Sequence, residues 1–234
     1  MKTIISIVIV VALLAGGWFA FNRNATKETA TNNQVVTTAI PGASVVLKGN
    51  YSIITEESII NWEAEKPLIT GYVHRGTIGF KDGTVSVTDA TSTGTFTIDM
   101  NTIKLVSLGG GKAGKESALE THLKSKDFFE VAKFPTGVFT ISEVVSNPDS
   151  ATSLTYMIKG TLTMKDKTNP VEFPATIYLK DGKLHAEGSL SIDRTKWGIA
   201  YGSASVFSNL ANNAIGDQVK LTLAIIATAK PQIQ

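Results

Sequence analysis

His122, Ser125 and Asp127 are the first residues whose types suggest hydrolytic chemistry. A hydroxyl nucleophile needs a base to take its proton and an acidic group to orient that base, and all three must converge in space. Here they lie within six residues of one another, on a predicted helix and its exit. No oxyanion donors or nucleophile elbow accompany them. Capping and turn chemistry explains them more simply: Ser125 and Asp127 satisfy backbone groups at a helix end, while Phe128 and Phe129 fill the mouth of the fold.

Gly109-Gly110-Gly111-Lys112-Ala113-Gly114-Lys115-Glu116 comes close to a phosphate-binding loop. The position after Lys115 must offer a hydroxyl to magnesium, and Glu116 would instead oppose a triphosphate. The segment reads as a Gly/Lys surface loop. His74 falls in a register shared with apolar residues. It is either satisfied by a neighbouring group or placed to meet a ligand headgroup. Asp193, Arg194, Lys196 and Trp197 form a polar-aromatic cluster with two readings: a gate at a barrel mouth, or a strand-end ion pair lidded by Trp197. With three His and no Cys in the chain, neither a three-histidine metal site nor a thiol nucleophile is expected, and no cofactor is implied.

The rest of the sequence has to supply a scaffold for these groups. Its 22 basic and 20 acidic residues leave a net charge of +2, with no clustered Lys/Arg stripe, so no nucleic-acid partner is expected. The run from Ile4 to Phe21 is apolar and spans roughly 27 Å as a helix. That is long for a signal-peptide core and sufficient for a membrane span. Trp18, Phe19 and Phe21 crowd its end as interfacial aromatics do. Residues 1–21 therefore read as a signal-anchor in preference to a cleaved signal. Residues 22–49 read as a flexible linker and residues 50–230 as one folded domain.

That domain alternates with period two. Tyr72, His74, Gly76, Ile78 and Phe80 share one face. Asp82-Gly83 predicts a hairpin turn, with Val85 and Val87 returning. Further strands carry Phe96, Ile98 and Met100, then Phe139 and Ile141, then Tyr156, Ile158 and Leu162, then Phe173, Ala175 and Ile177. Asp181-Gly182 predicts a second hairpin. Leu184, Ala186 and Leu190 follow it, and Val219 to Ile225 forms the last strand. Ser117–Lys126 is the one helix-like segment, with Ser117 and Glu120 in capping-box spacing. Gly198 to Gly216 is irregular, with Phe207 and Leu210 as its expected anchors. About eight strands, each apolar on one face, predict an all-β, antiparallel barrel that is either packed solid or wide enough for one small ligand.

Trp62, Gly71, His74 and Gly76, the phrase from His122 to Phe129 followed by Lys133-Phe134-Pro135, the pairs Gly160-Thr161 and Phe173-Pro174, and Ile192 to Ile199 together resemble the YceI-like domain family. The resemblance covers about residues 51–229. It implies a lipocalin-like barrel that carries a polyisoprenoid or similar lipid, commonly in the periplasm. It carries over no ligand-contact residues, so parity alone nominates Tyr72, His74, Ile78, Phe96, Ile98, Phe139, Ile141, Tyr156, Ile158, Phe173, Ile177 and Trp197.

The expected function is extracytoplasmic binding of an apolar, isoprenoid or quinone-like lipid without catalysis. The expected location is the cell envelope: anchored in the inner membrane facing the periplasm, or secreted there if the N-terminus is cleaved. Membrane contact is through the N-terminal segment, and assembly as a homodimer is left open. The alternative is a packed structural or stress-response surface domain without a ligand, since Phe80, Phe96, Phe139, Tyr156 and Phe173 all point inward by parity.

Overall fold

Alternating, β-branched-rich segments separated by turn residues fold into antiparallel strands that bury one face each. The computed structural model of the chain describes residues 47–88, 91–111, 113–146 and 155–230. The expected signal-anchor at 1–21 and all but the last residues of the expected linker lie outside them. Among the described residues no helix is long and apolar enough to cross a membrane.

The strands are β1 (Gly49–Ile53), β2 (Ile59–Glu65), β3 (Val73–Val87), β4 (Ser92–Ser107), β5 (Thr136–Ser146), β6 (Thr155–Met164), β7 (Lys167–Lys180), β8 (Lys183–Asp193) and β9 (Gln218–Ala229). From β3 to β9 each strand pairs antiparallel with its sequence neighbour. β1 and β2 each pair antiparallel with both β3 and β9, so they follow one another in a single position of the wall. The result is a closed barrel of eight staves with no free sheet edge at its closure.

The first stave is interrupted at Ile54–Ser58, where Ser58 takes over backbone pairing. Its hydroxyl donates to the Ile226 carbonyl at 3.2 Å and accepts from the Ile226 N–H at 3.0 Å. The ladder bond that the kink would otherwise break is therefore replaced by a side chain.

The expected hairpin at Asp82-Gly83 is not formed. β3 runs straight through that dipeptide, with a register shift between Phe80 and Asp82. This bulge leaves Lys81 and Asp82 both exposed and returns Gly83 and Val85 to the inward face. Strong local turn chemistry is overridden here by pairing with β4 along nearly the whole strand. The Asp181-Gly182 turn is present, with φ of 53° and 73°, the left-handed pair of a two-residue hairpin.

One barrel end is sealed. Helix α1 (Glu116–Lys124) and the segment after it lie across that end. The 3-10 turn Arg194–Trp197 and the irregular stretch leading to β9 close it as well. The capping box expected in α1 is absent: Lys115 is the N-cap without a side-chain bond, and Glu120 instead accepts the Leu105 N–H at 2.8 Å. Glu120 thus ties the helix to β4. Phe207 is half exposed; Ile199, Ser203 and Ala214 are the buried points of the closing stretch.

Candidate ligand-binding site

Eight staves leave an interior that side chains do not fill. A cavity of about 520 Å³ runs down the barrel from its other end, within the range of small-molecule sites. Its deep wall is apolar: Ile60, Phe80, Phe96, Ile98, Leu162, Phe173, Leu221 and Leu223. Polar lining groups, Lys48, Thr88, Ser92, Ser146 and Glu187, come from the open half of the wall or its rim. Leu47 lies buried at that rim, packed with Tyr51, Leu184 and Ala227. A second concavity of about 620 Å³ lies on the outside of β1, β3, β4 and β5, bordered by hydroxyls such as Thr84, Thr95 and Thr140. It offers no apolar enclosure.

Of the residues nominated by parity, Phe96, Ile98, Phe139, Ile141, Tyr156, Ile158, Phe173 and Ile177 meet on the cavity wall. Tyr72, His74, Ile78 and Trp197 do not line it. Tyr72 precedes β3, and its ring meets that of His74 at 4.9 Å. His74 sits at the start of β3, near the sealed end, and its Nδ1 accepts the Gly109 N–H at 3.1 Å. Neighbouring backbone therefore engages this histidine, the first of its two expected readings. Ile78, opposite Ile60 on β2, packs against the core without lining the cavity. Leu47 and Lys48 were missed because they fall in a stretch that reads as linker. Val85, Val144, Leu184, Ala186 and Ile225 were within reach of the same parity argument.

Asp193 to Trp197 belongs to the sealed end and gates no mouth. Trp197 is 2% exposed, and its Nε1 donates to the Leu162 carbonyl at 2.9 Å. Arg194 is 5% exposed and donates to the carbonyls of Ile199, Tyr201, Ile215 and Gly216. Its guanidinium also faces Asp217 at 3.4 Å. Burial lowers the Arg194 pKa, with Asp217 and Asp193 opposing. Burial alone would raise the Asp217 carboxyl. Hydrogen bonds from Ser205 and Ser203, with the Arg194 charge, outweigh that and hold it below its usual value. This buried arginine fastens the closing stretch to the barrel floor.

The His122 cluster is also at the sealed end. The Ser125 hydroxyl donates to the His122 carbonyl and not to its ring, while the ring lies 3.1 Å from Asp127. Phe128 and Tyr201 pack edge-on against that ring, so Phe128 belongs to the floor and not to the mouth. Serine and imidazole are not arranged as nucleophile and base. Among the described residues no group of three or more His, Asp or Glu could hold a metal.

Fold and site define a lipocalin-like barrel, sealed at one end, with an apolar chamber. Residues 51–227 match the YceI-like domain model, and the chain belongs to that family. A UPF0312 protein of Pseudomonas fluorescens (strain SBW25) is 34% identical over 141 residues, 59% of this chain and 67% of that protein. BcnA of Burkholderia cenocepacia superposes with a TM-score of 0.58 at 18% identity, covering 75% of this chain and 99% of that one. A polyisoprenoid-binding domain from Saccharophagus degradans, implicated in plant cell wall breakdown, gives 0.54 at 16% identity, covering 77% and 98%. At these identities both structures establish the shared fold.

Proposed function

We propose that this protein binds an elongated apolar lipid, of isoprenoid or quinone-like type, and carries it without chemical change. The observation that supports this most is the chamber itself: about 520 Å³, apolar at depth, polar only toward its opening. Burying apolar surface there gives affinity at about 25 cal/mol per Å². The rim hydroxyls and Lys48 meet a headgroup and set orientation. Phe96, Ile98, Phe139, Ile141, Tyr156, Ile158, Phe173 and Ile177 are the ligand-contacting residues. The polyisoprenoid-binding domain of S. degradans lends support through its fold.

The same reading places the protein in the cell envelope. The apolar segment at residues 4–21 holds it to the inner membrane, with the barrel on the periplasmic side. The chain enters β1 at the open end of the barrel.

Ala175 is buried on the cavity wall, so Ala175→Trp fills the chamber from a position that has no polar role. Titration of the full chain with a dansyl-labelled polyprenol gives saturable binding to the parent. Affinity is about tenfold or more weaker in the variant, a loss of about 1.4 kcal/mol. Equal binding by both would place the probe outside the chamber and overturn the reading.

A further inference from the structure

The hydrogen-bonded wall of the barrel is interrupted between β7 and β8. β7 and β8 pair from Lys180↔Lys183 down to Ala175↔Gly188, and there the ladder stops. β7 continues to Lys167 paired only with β6, and β8 continues to Asp193 paired only with β9. The sequence explains the break. Pro170 and Pro174 carry no backbone N–H, and both sit in an unbroken β6–β7 register, so the missing donors belong to the β8 side. Gly188, at the last rung, has no side chain to cover the gap.

Instead the Phe173 ring lies against Gly188: an added Cβ there would meet Phe173 Cδ2 and the Pro174 carbonyl, each at 3.0 Å. Val171, Phe173, Gly188 and Leu190 all border the cavity, and so does Glu187, which faces outward beside Gly188. The chamber wall at this seam is therefore side-chain packing, chiefly one aromatic ring. Separating it breaks no ladder hydrogen bonds between β7 and β8 below Gly188. Below the seam, the 3-10 turn bridges to β7 through Asn169 Nδ2, which donates to the Lys196 carbonyl at 3.2 Å. That contact bounds the opening on its sealed-end side.

We propose that the seam between Pro170–Pro174 of β7 and Ser189–Asp193 of β8 is a lateral portal through which a linear apolar chain enters and leaves the chamber, with Phe173 as its door. This rests on the proposed lipid-binding function and adds the path and the shape of the ligand. A linear chain can pass sideways between two strands, whereas a rigid fused-ring ligand is confined to the mouth.

The chain has no cysteine, so introduced pairs are unique. Continuing the register sets Pro174 opposite Ser189, both exposed, one rung past the last pair. In full-length protein the Pro174→Cys/Ser189→Cys disulfide staples the seam. Tyr178→Cys/His185→Cys staples a rung that is already paired in the same ladder. The portal predicts unchanged equilibrium uptake of dansyl-labelled polyprenol in both. Stopped-flow uptake and release are about tenfold slower in the seam staple only and recover on reduction. If the seam staple fails to fold, Pro170→Val/Pro174→Val restores both donors and slows exchange in the same direction. Exchange at the parent rate in the stapled seam, or in that variant, overturns the portal while leaving binding intact. Absence of any uptake by the parent chain overturns the lipid-binding reading and the portal with it.

Discussion

Arg194 is the residue on which the sealed end depends most. Replacing it by Met leaves four buried or half-buried carbonyls without their donor and Asp217 without its counter-charge. Urea unfolding is expected to show a loss of about 3–5 kcal/mol. Trp197→Phe keeps the ring packing and removes only the bond to Leu162, so it costs less, about 1–3 kcal/mol. The linked carboxylate gives a pH dependence. The folded-state pKa of Asp217 is depressed, so its contribution is complete above the unfolded value near 3.8 and is lost as pH falls through the folded one. Asp217→Asn removes that part of the acid limb, which thermal melts between neutral and acid pH will detect as a flatter profile.

At the scale of elements, the first stave and the β3 bulge are where local and global instructions conflict. Ser58→Ala leaves the Ile226 N–H without the hydroxyl it donates to, at a cost of about 1–3 kcal/mol. Hydrogen exchange should show the Ile226 amide and its β1 neighbours opening first. Gly76→Ala is a harsher test, because its Cβ would fall on the Lys104 carbonyl and the Trp62 ring. Such a variant unfolds or forces β3 and β4 apart.

The period-two pattern made most strands legible from sequence, since one face of each is buried along its length. Lys167 to Asn169 carry no apolar alternation of their own and precede Pro170, so the period-two pattern begins only at Val171, although prolines sit well beside a neighbour that does not pair. Asp82-Gly83 misled for the opposite reason: turn preference acts over four residues, whereas pairing with β4 acts over the whole of β3.

For the whole molecule, eight of the twelve nominated residues reach the cavity wall, because parity reports which face is inward. Tyr72, His74 and Trp197 share the inward parity or lie next to it but sit toward the sealed end, and Ile78, opposite Ile60, packs on the core without reaching the cavity. Parity says nothing about depth along a barrel. Depth depends on which connections close an end, and here those are α1 and the Arg194-fastened stretch, assembled from residues distant in sequence. The family resemblance covered the same body that the family model matches, and its signature from His122 to Phe129 marks the floor of the chamber.

Native mass spectrometry of the chain purified from the cells that make it shows whether the chamber holds an apolar lipid. A lipid-binding chamber gives a bound apolar mass that organic extraction removes, that added polyprenol replaces, and that the Ala175→Trp variant lacks. A clean apoprotein that also refuses added polyprenol would contradict it and leave a barrel whose cavity serves no lipid.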